Sequence, residues 1–112
     1  ANSAKTEILG VKTRTLVEYG AVHEQTAMEM AQGARQKTGA DIGISTTGIA
    51  GPTGGTDEKP VGMVCIGLSA RGTLKAKTFT FRFNDRDKNK KMFAATALEM
   101  VRKYLVSETK TG

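Results

Sequence analysis

The residues best suited to chemistry lie at 45–56, in the order Ser-Thr-Thr-Gly-Ile-Ala-Gly-Pro-Thr-Gly-Gly-Thr. Four glycines and five hydroxyl side chains fall within these twelve positions. Glycine admits positive φ and lets the backbone come close to a ligand. Successive N–H groups in such turns form a concavity that favours anions, and hydroxyls add donors that can rotate into place. Pro52 stiffens the turn and lowers the entropy lost when a ligand orders it. Asp57, Glu58, Lys59 and Pro60 close the stretch with a charged rim. It is not a Walker A loop, because no Gly-Lys-Ser/Thr follows at the required spacing, and it holds no G-x-G-x-x-G fingerprint. Composition alone also fits a long surface turn. A twelve-residue connection is nevertheless long for a compact domain, and such loops are usually functional or disordered. The stretch is therefore a candidate ligand site.

The other reactive side chains have plainer readings. His23, the only histidine, precedes Glu24 where a helix N-cap would sit, which suits capping better than catalysis. Cys65 lies on an apolar strand and reads as core. Lys5 would by default be a solvated lysine. Spacing alone establishes no nucleophile–base pair.

The elements around the loop follow from periodicity. Helical spacing over residues 13–19 ends at Gly20, which suits a left-handed cap. A second helix is predicted from about 24 to 37, with Ala27, Met30, Ala31 and Ala34 on one face. Glu24 and the pair Arg35 and Lys37 match its dipole, and Gly39 closes it. Residues 41–46 read as a short strand with Ile42 and Ile44 on one face, where Gly43 permits close approach of another backbone. Residues 61–70 carry apolar side chains on both faces, the mark of a central, doubly covered strand. Arg71-Gly72-Thr73 predicts a hairpin into a strand over 74–83, where Phe79, Phe81 and Phe83 share a face. Lys75 and Lys77 fall on the same parity, which calls for a bulge or an exposed strand end. Asn84 or Asp85 caps a final helix to about Val106, with Phe93, Ala97, Met100, Val101, Tyr104 and Leu105 as its stripe. Residues 107–112 read as a frayed polar tail. The helix–Gly–strand–Gly-loop order is the rhythm of an α/β sheet, where ligands bind beyond the carboxyl ends of strands.

Composition bounds the partners. With 112 residues, 38% apolar and 25% charged, the chain has room for one domain and one core. The net charge of +6 raises nucleic-acid binding. Yet the seventeen Lys and Arg are dispersed, and the one dense cluster, Arg86, Lys88, Lys90 and Lys91, has no interleaved aromatics to stack on bases. It reads as a solvated helix face, with one cation free to meet a small ligand's phosphate. No run approaches the roughly 20 apolar residues of a membrane span, and no signal-peptide pattern is visible. Lone Cys65 forms no internal disulfide or multi-cysteine metal site. A cytoplasmic setting is the expectation. A central strand covered on both faces needs more neighbours than three strands supply, so residues 1–112 read as one domain, incomplete at its N-terminus.

Four strings occur in order and at characteristic spacing: Asn2-Ser3-Ala4-Lys5 with Leu9-Gly10-Val11, Gly20-Ala21-Val22-His23-Glu24, Thr47-Gly48-Ile49-Ala50-Gly51-Pro52 with Gly54-Gly55, and Glu58-Lys59-Pro60-Val61-Gly62. With Asp85-Arg86-Asp87 they resemble the CinA C-terminal domain family, the nicotinamide-mononucleotide deamidases, over essentially the whole chain. The resemblance implies a three-layer α/β/α domain with a mixed sheet. It also implies hydrolysis of the carboxamide of nicotinamide mononucleotide to nicotinic acid mononucleotide and ammonia, by a serine activated by a lysine and without metal or cofactor. On the matching positions Lys5 is the general base and Thr47 helps hold the pair. Asn2, Thr46, Gly48, Ile49, Ala50, Gly51, Gly54 and Gly55 contact substrate, and Arg86 is a candidate for the phosphate. The family's Glu-Ser-Cys-Thr-Gly-Gly segment with the nucleophilic serine, its strand and helix, and the Tyr preceding Asn-x-Ala-Lys are absent from these residues, and His23 stands where the family usually has Ser. The alternative function is a catalytically inactive nucleotide-binding module. The expected partners are a mononucleotide-sized substrate and further copies of the chain, with no nucleic acid and no membrane.

Overall fold

The computed structural model describes residues 10–111, so Asn2 and Lys5 lie outside the described residues. The elements follow as α1 (Thr13–Tyr19), α2 (Glu24–Thr38), β1 (Ile42–Gly48), β2 (Met63–Ala70), β3 (Thr73–Thr80) and α3 (Arg86–Thr111).

Local chemistry sets most boundaries. Nδ1 of His23 accepts from the Gln25 N–H at 3.0 Å, which caps α2 and satisfies an N–H that has no partner within the helix. Gly39 ends that helix at φ 69, in the left-handed region. Oδ1 of Asp85 does for α3 what His23 does for α2, accepting from the Lys88 N–H at 3.1 Å. Gly20 differs from expectation: its φ is 83 but its ψ is 179, so it leaves α1 extended and not as a left-handed cap. Its N–H still donates to the Leu16 carbonyl at 3.0 Å.

The strands form one sheet in the order β1-β2-β3. β1 pairs antiparallel with β2 from Ile42↔Ala70 to Gly48↔Val64. β2 pairs antiparallel with β3 from Met63↔Thr80 to Ala70↔Thr73, through a turn at Arg71 and Gly72. The two-faced strand read from the sequence is thus the central one. On one face Val64, Ile66, Leu68 and Ala70 meet Phe93, Ala97 and Met100 of α3. Full burial of side chains such as Ile66 and Leu68 contributes about 1.5–3 kcal/mol each. On the other face α2 lies almost directly on the backbone of the sheet. A Cβ at Gly43 would come within 2.2 Å of the Ala31 carbonyl oxygen, and one at Gly67 within 2.2 Å of that of Ala27. This is the α/β/α layering expected, and the described strands pair antiparallel throughout.

Several boundaries differ from the sequence reading. β1 runs to Gly48, so Ser45, Thr46, Thr47 and Gly48 belong to a strand and not to the loop. The physical reason is pairing: Thr47 sits opposite Cys65 and Gly48 opposite Val64, and this hydrogen-bonded ladder outweighs the turn preference of Thr and Gly. β2 begins at Met63, since Gly62 has φ 95. β3 ends at Thr80, because the Phe83 carbonyl turns to accept from the Asn89 side chain at 2.9 Å. Phe83 therefore leaves the buried face and is 41% exposed. The register of β3 is unbroken, so Lys75 and Lys77 mark an exposed strand end and not a bulge, and charged residues there oppose edge pairing. α3 continues to Thr111 where a frayed tail was expected. There Thr109 donates to the Leu105 and Val106 carbonyls.

A buried carboxylate ties α1 to α2. Glu29 is 8% exposed, and it accepts from the Lys12 N–H at 2.8 Å, the Thr15 hydroxyl at 2.7 Å and the Gln25 amide at 2.9 Å. Burial raises its pKa, but the bonds from Gln25, the Lys12 N–H and Thr15, aided by the Lys12 charge, hold it below the ordinary value. A depressed folded pKa means this stabilisation is complete above the unfolded value and is lost as pH falls through the folded one. Denaturant midpoints followed from neutral into acid are expected to fall in that window, and Glu29→Gln is expected to flatten that fall and lower neutral stability by about 1–3 kcal/mol. Gly67→Ala, whose added methyl would collide with the backbone of α2, is expected to lower stability by about 1–3 kcal/mol or more in the same measurement.

Candidate functional site

The site is built at the carboxyl end of β1, where alternation sends neighbouring side chains to opposite faces. Ser45 and Thr47 point to α2. Ser45 donates to the Ala27 carbonyl at 2.6 Å, and Thr47 donates to the Ala21 carbonyl at 2.7 Å. Thr26 donates to Gly20 at 2.6 Å, and Lys59 Nζ donates to Tyr19 at 2.7 Å. Three successive carbonyls of the α1–α2 turn are thereby held, one from α2, one from β1 and one from the far side of the loop. Because the Thr47 proton is committed to Ala21, its oxygen can only accept from a further partner. An amine or ammonium is the group it suits. Thr46 lies on the opposite face, in a groove of about 420 Å³ that it shares with Ile44, Lys90, Phe93, Ala94, Ala97 and Leu98. The two neighbouring threonines named from sequence therefore do not face the same space.

Beyond Gly48 the chain makes a long connection before β2. Its base is closed by backbone bonds, from the Ile49 N–H to the Met63 carbonyl at 2.9 Å and from the Gly62 N–H to the Ile49 carbonyl at 2.7 Å. A tighter turn at the rim joins the Thr56 N–H to the Lys59 carbonyl at 2.9 Å. Between these closures the N–H groups of Ala50, Gly51, Thr53, Gly54 and Gly55 have no hydrogen-bond partner among the described residues. Ala50 and Gly51 are buried, whereas residues 52–58 are exposed. The connection thus has a packed base and an open rim.

The first turn of α3 holds that base. Arg86 Nη1 donates to the Gly51 carbonyl at 3.3 Å, and Asn89 Nδ2 donates to the Ala50 carbonyl at 2.9 Å. Of the residues named from sequence, the structure brings Ile49, Ala50, Gly51 and Arg86 together, with Thr47 and Gly48 leading into them. Gly54 and Gly55 sit on the exposed part of the loop. The Arg86 guanidinium was expected at a phosphate; here one of its N–H groups takes a loop carbonyl, and the side chain is otherwise exposed.

Asn89 and Lys59 were not singled out as site residues. For Asn89 a signal was present: it lies four residues before Phe93 and eight before Ala97, which puts a polar amide on the buried stripe of α3. Lys59 carried none beyond its place in the Glu-Lys-Pro-Val-Gly string, because its partner Tyr19 is 40 residues away.

The remaining reactive groups fall as read. Cys65 is fully buried, with its sulfur 3.5 Å from the Thr78 hydroxyl. Burial pushes its thiol up, against a smaller opposing effect from that hydroxyl. His23 is occupied as the α2 cap, and its ring stacks on Tyr19 at 4.4 Å. Among the described residues no group of three or more His, Cys, Asp or Glu could hold a metal ion. None of their helices is long and apolar enough to cross a membrane.

Fold and site together define a layered α/β domain that presents a glycine-rich connection at the end of a strand. The chain belongs to the CinA C-terminal domain family, which it matches over residues 1–105. A CinA-like protein of Desulforapulum autotrophicum is 54% identical over 108 residues, covering 96% of this chain and 26% of that protein. A CinA-like protein of Chloroherpeton thalassium is 52% identical, with 94% and 26% covered. The chain spans about a quarter of the length of these relatives. Among solved structures, a competence/damage inducible protein of Agrobacterium tumefaciens superposes with a TM-score of 0.85 at 41% identity, covering 90% of this chain and 62% of the other. A CinA superfamily protein of Klebsiella pneumoniae superposes at 0.88 with 31% identity, covering 96% and 66%.

Two outcomes are expected from this geometry. Cys65 in the native protein is expected to resist a thiol-alkylating reagent and to react at once in denaturant, as mass spectrometry of the labelled protein would show. Gly62→Ala is expected to lower the melting temperature, since its φ is 95 and a Cβ there would lie 1.7 Å from the Phe81 carbonyl oxygen.

Proposed function

We propose that this domain is the catalytic part of an amidohydrolase of the nicotinamide-mononucleotide deamidase type. It would hydrolyse the carboxamide of nicotinamide mononucleotide to nicotinic acid mononucleotide and ammonia, a reaction of pyridine-nucleotide salvage in the cytoplasm. Family membership supports the chemistry. The observation that carries the reading is the set of N–H groups at Ala50, Gly51, Thr53, Gly54 and Gly55 that have no partner among the described residues, with the Arg86 guanidinium against the same loop. Backbone N–H groups and an arginine fork suit the phosphate of a mononucleotide.

In this reading the nucleophile is a serine outside these residues, and Lys5 is its base. A lysine desolvated to its neutral amine takes the serine proton. The serine oxygen attacks the carboxamide carbon, the amide nitrogen leaves as ammonia with the transferred proton, and water then hydrolyses the ester. Thr47, whose own proton is held by Ala21, offers an acceptor that orients the Lys5 amine. Thr46 would serve from its separate face only if substrate spans the edge of β1.

Ammonia release from nicotinamide mononucleotide by the complete protein that carries this domain is the test. The expected result is one ammonia per nicotinic acid mononucleotide, with Lys5→Ala slowing turnover by about 10²–10⁴-fold, the usual effect of removing a general base. Absence of release, or undiminished release by the variant, would reject the reading. Tight binding of the mononucleotide without turnover would instead identify a nucleotide-binding module.

A further inference from the structure

The buried polar group least explained by the fold is the side chain of Asn89. It is 0% exposed and sits on the face of α3 that otherwise carries Phe93, Ala97 and Met100 into the core. Its amide nitrogen donates to two carbonyls, Ala50 at the start of the β1–β2 connection and Phe83 in the β3–α3 connection, both at 2.9 Å. Its amide oxygen has no hydrogen-bond partner among the described residues. That oxygen lies 3.5 Å from where a Cβ of Gly62, the last residue before β2, would stand. One side chain thus sits where the loop leaves β1, where it returns to β2, and where β3 turns into α3.

A buried acceptor without a partner is unfavourable, and a leucine of similar size would avoid it. What leucine cannot supply is the pair of N–H donors. Local departures of this kind concentrate at functional sites. The amide also acts one helical turn from Arg86, and the two residues take the successive carbonyls of Ala50 and Gly51. Because the peptide unit is planar, a fixed Ala50 carbonyl also fixes the direction of the Gly51 N–H, while the Gly51 carbonyl held by Arg86 leads into Pro52, which has no N–H.

We propose that Asn89 is a positioning residue of this site: it clamps the Ala50 carbonyl at the head of the loop and so presets the Gly51 N–H for the phosphate of the ligand. The inference rests on the mononucleotide reading above. It adds to that reading a residue that touches neither substrate nor nucleophile and acts only through the loop. Because the phosphate end is remote from the scissile amide, Asn89 governs binding and not the chemical step. Its loss therefore raises KM and leaves kcat in place.

The test compares wild type, Asn89→Leu and Asn89→Ser in the complete protein. The readouts are hydrogen–deuterium exchange of peptides covering residues 49–62 and 64–70, and steady-state kinetics on nicotinamide mononucleotide. The expected result for Asn89→Leu is exchange over 49–62 faster by about tenfold, in keeping with the loss of one buried hydrogen bond, with 64–70 unchanged. KM is expected to rise by about tenfold, with kcat within about twofold of wild type. Asn89→Ser, which keeps a hydroxyl but loses reach, carries the same readouts if the leucine variant does not fold. Unchanged exchange over 49–62 overturns the proposal whatever the protein's activity, and so does a fall in kcat at constant KM. Faster loop exchange in a protein whose wild type releases no ammonia supports the clamp and refutes the amidase reading, so the two fail separately.

Discussion

The arrangement depends on how closely α2 lies on the sheet. No side chain separates them at Gly43 and Gly67, and the carbonyls of Ala31 and Ala27 occupy the space where Cβ atoms would otherwise project. This approach brings the Ser45 hydroxyl within 2.6 Å of the Ala27 carbonyl. Two residues further along the same strand face, Thr47 reaches the turn that precedes α2. A larger residue at either glycine would lift the helix by more than a hydrogen bond can stretch. The polar contacts of the α1–α2 turn are therefore consequences of a steric fact in the sheet, and interiors packed to this density transmit such displacements directly.

The glycine-rich connection inherits its order from that scaffold. One side of its base is fixed by Arg86 and Asn89 on α3, the helix on the opposite face of the sheet. The far end of the connection is tied by Lys59 to the last residue of α1. Both outer layers thus reach around the edge of the sheet to hold one loop, while residues 52–58 between the anchors stay exposed. A fixed base with an accessible rim reduces the ordering that a ligand must impose, which favours affinity more than additional contacts would.

Two buried polar side chains show the same economy in different ways. Glu29 is fully answered by donors from the N-cap and first turn of α1 and from α2, so its charge is compatible with burial and ties neighbouring helices together. Among the described residues Asn89 is answered only on its nitrogen. The first reads as structural because every lone pair in use serves the packing of two helices. The second joins the β1–β2 and β3–α3 connections beside the candidate site, which a purely structural contact in the core of α3 would not require.

What the sequence determined alone was mostly governed by neighbours a few residues apart, although the local readings at Gly20 and at the end of α3 failed. His23 is legible as a helix cap because a cap bonds within one turn, and the same pattern narrowed the second cap to Asn84 or Asp85, of which the structure uses Asp85. Gly39 is legible as a helix end, and Arg71–Gly72 as a hairpin, because each is a matter of local φ and ψ. The central position of β2 was legible too, since apolar residues on both faces have only one comfortable place in a sheet. Tertiary structure decided the rest. Whether Thr47 and Gly48 belong to strand or loop depended on the partners Cys65 and Val64, and propensity at those positions favoured the wrong answer. Which hydroxyl faces which layer, where Phe83 leaves the core, and what Arg86 and Asn89 grasp depended on carbonyls up to 39 residues away. Hydrogen bonds of that span follow from the packing of layers, and no periodicity in a linear chain encodes them.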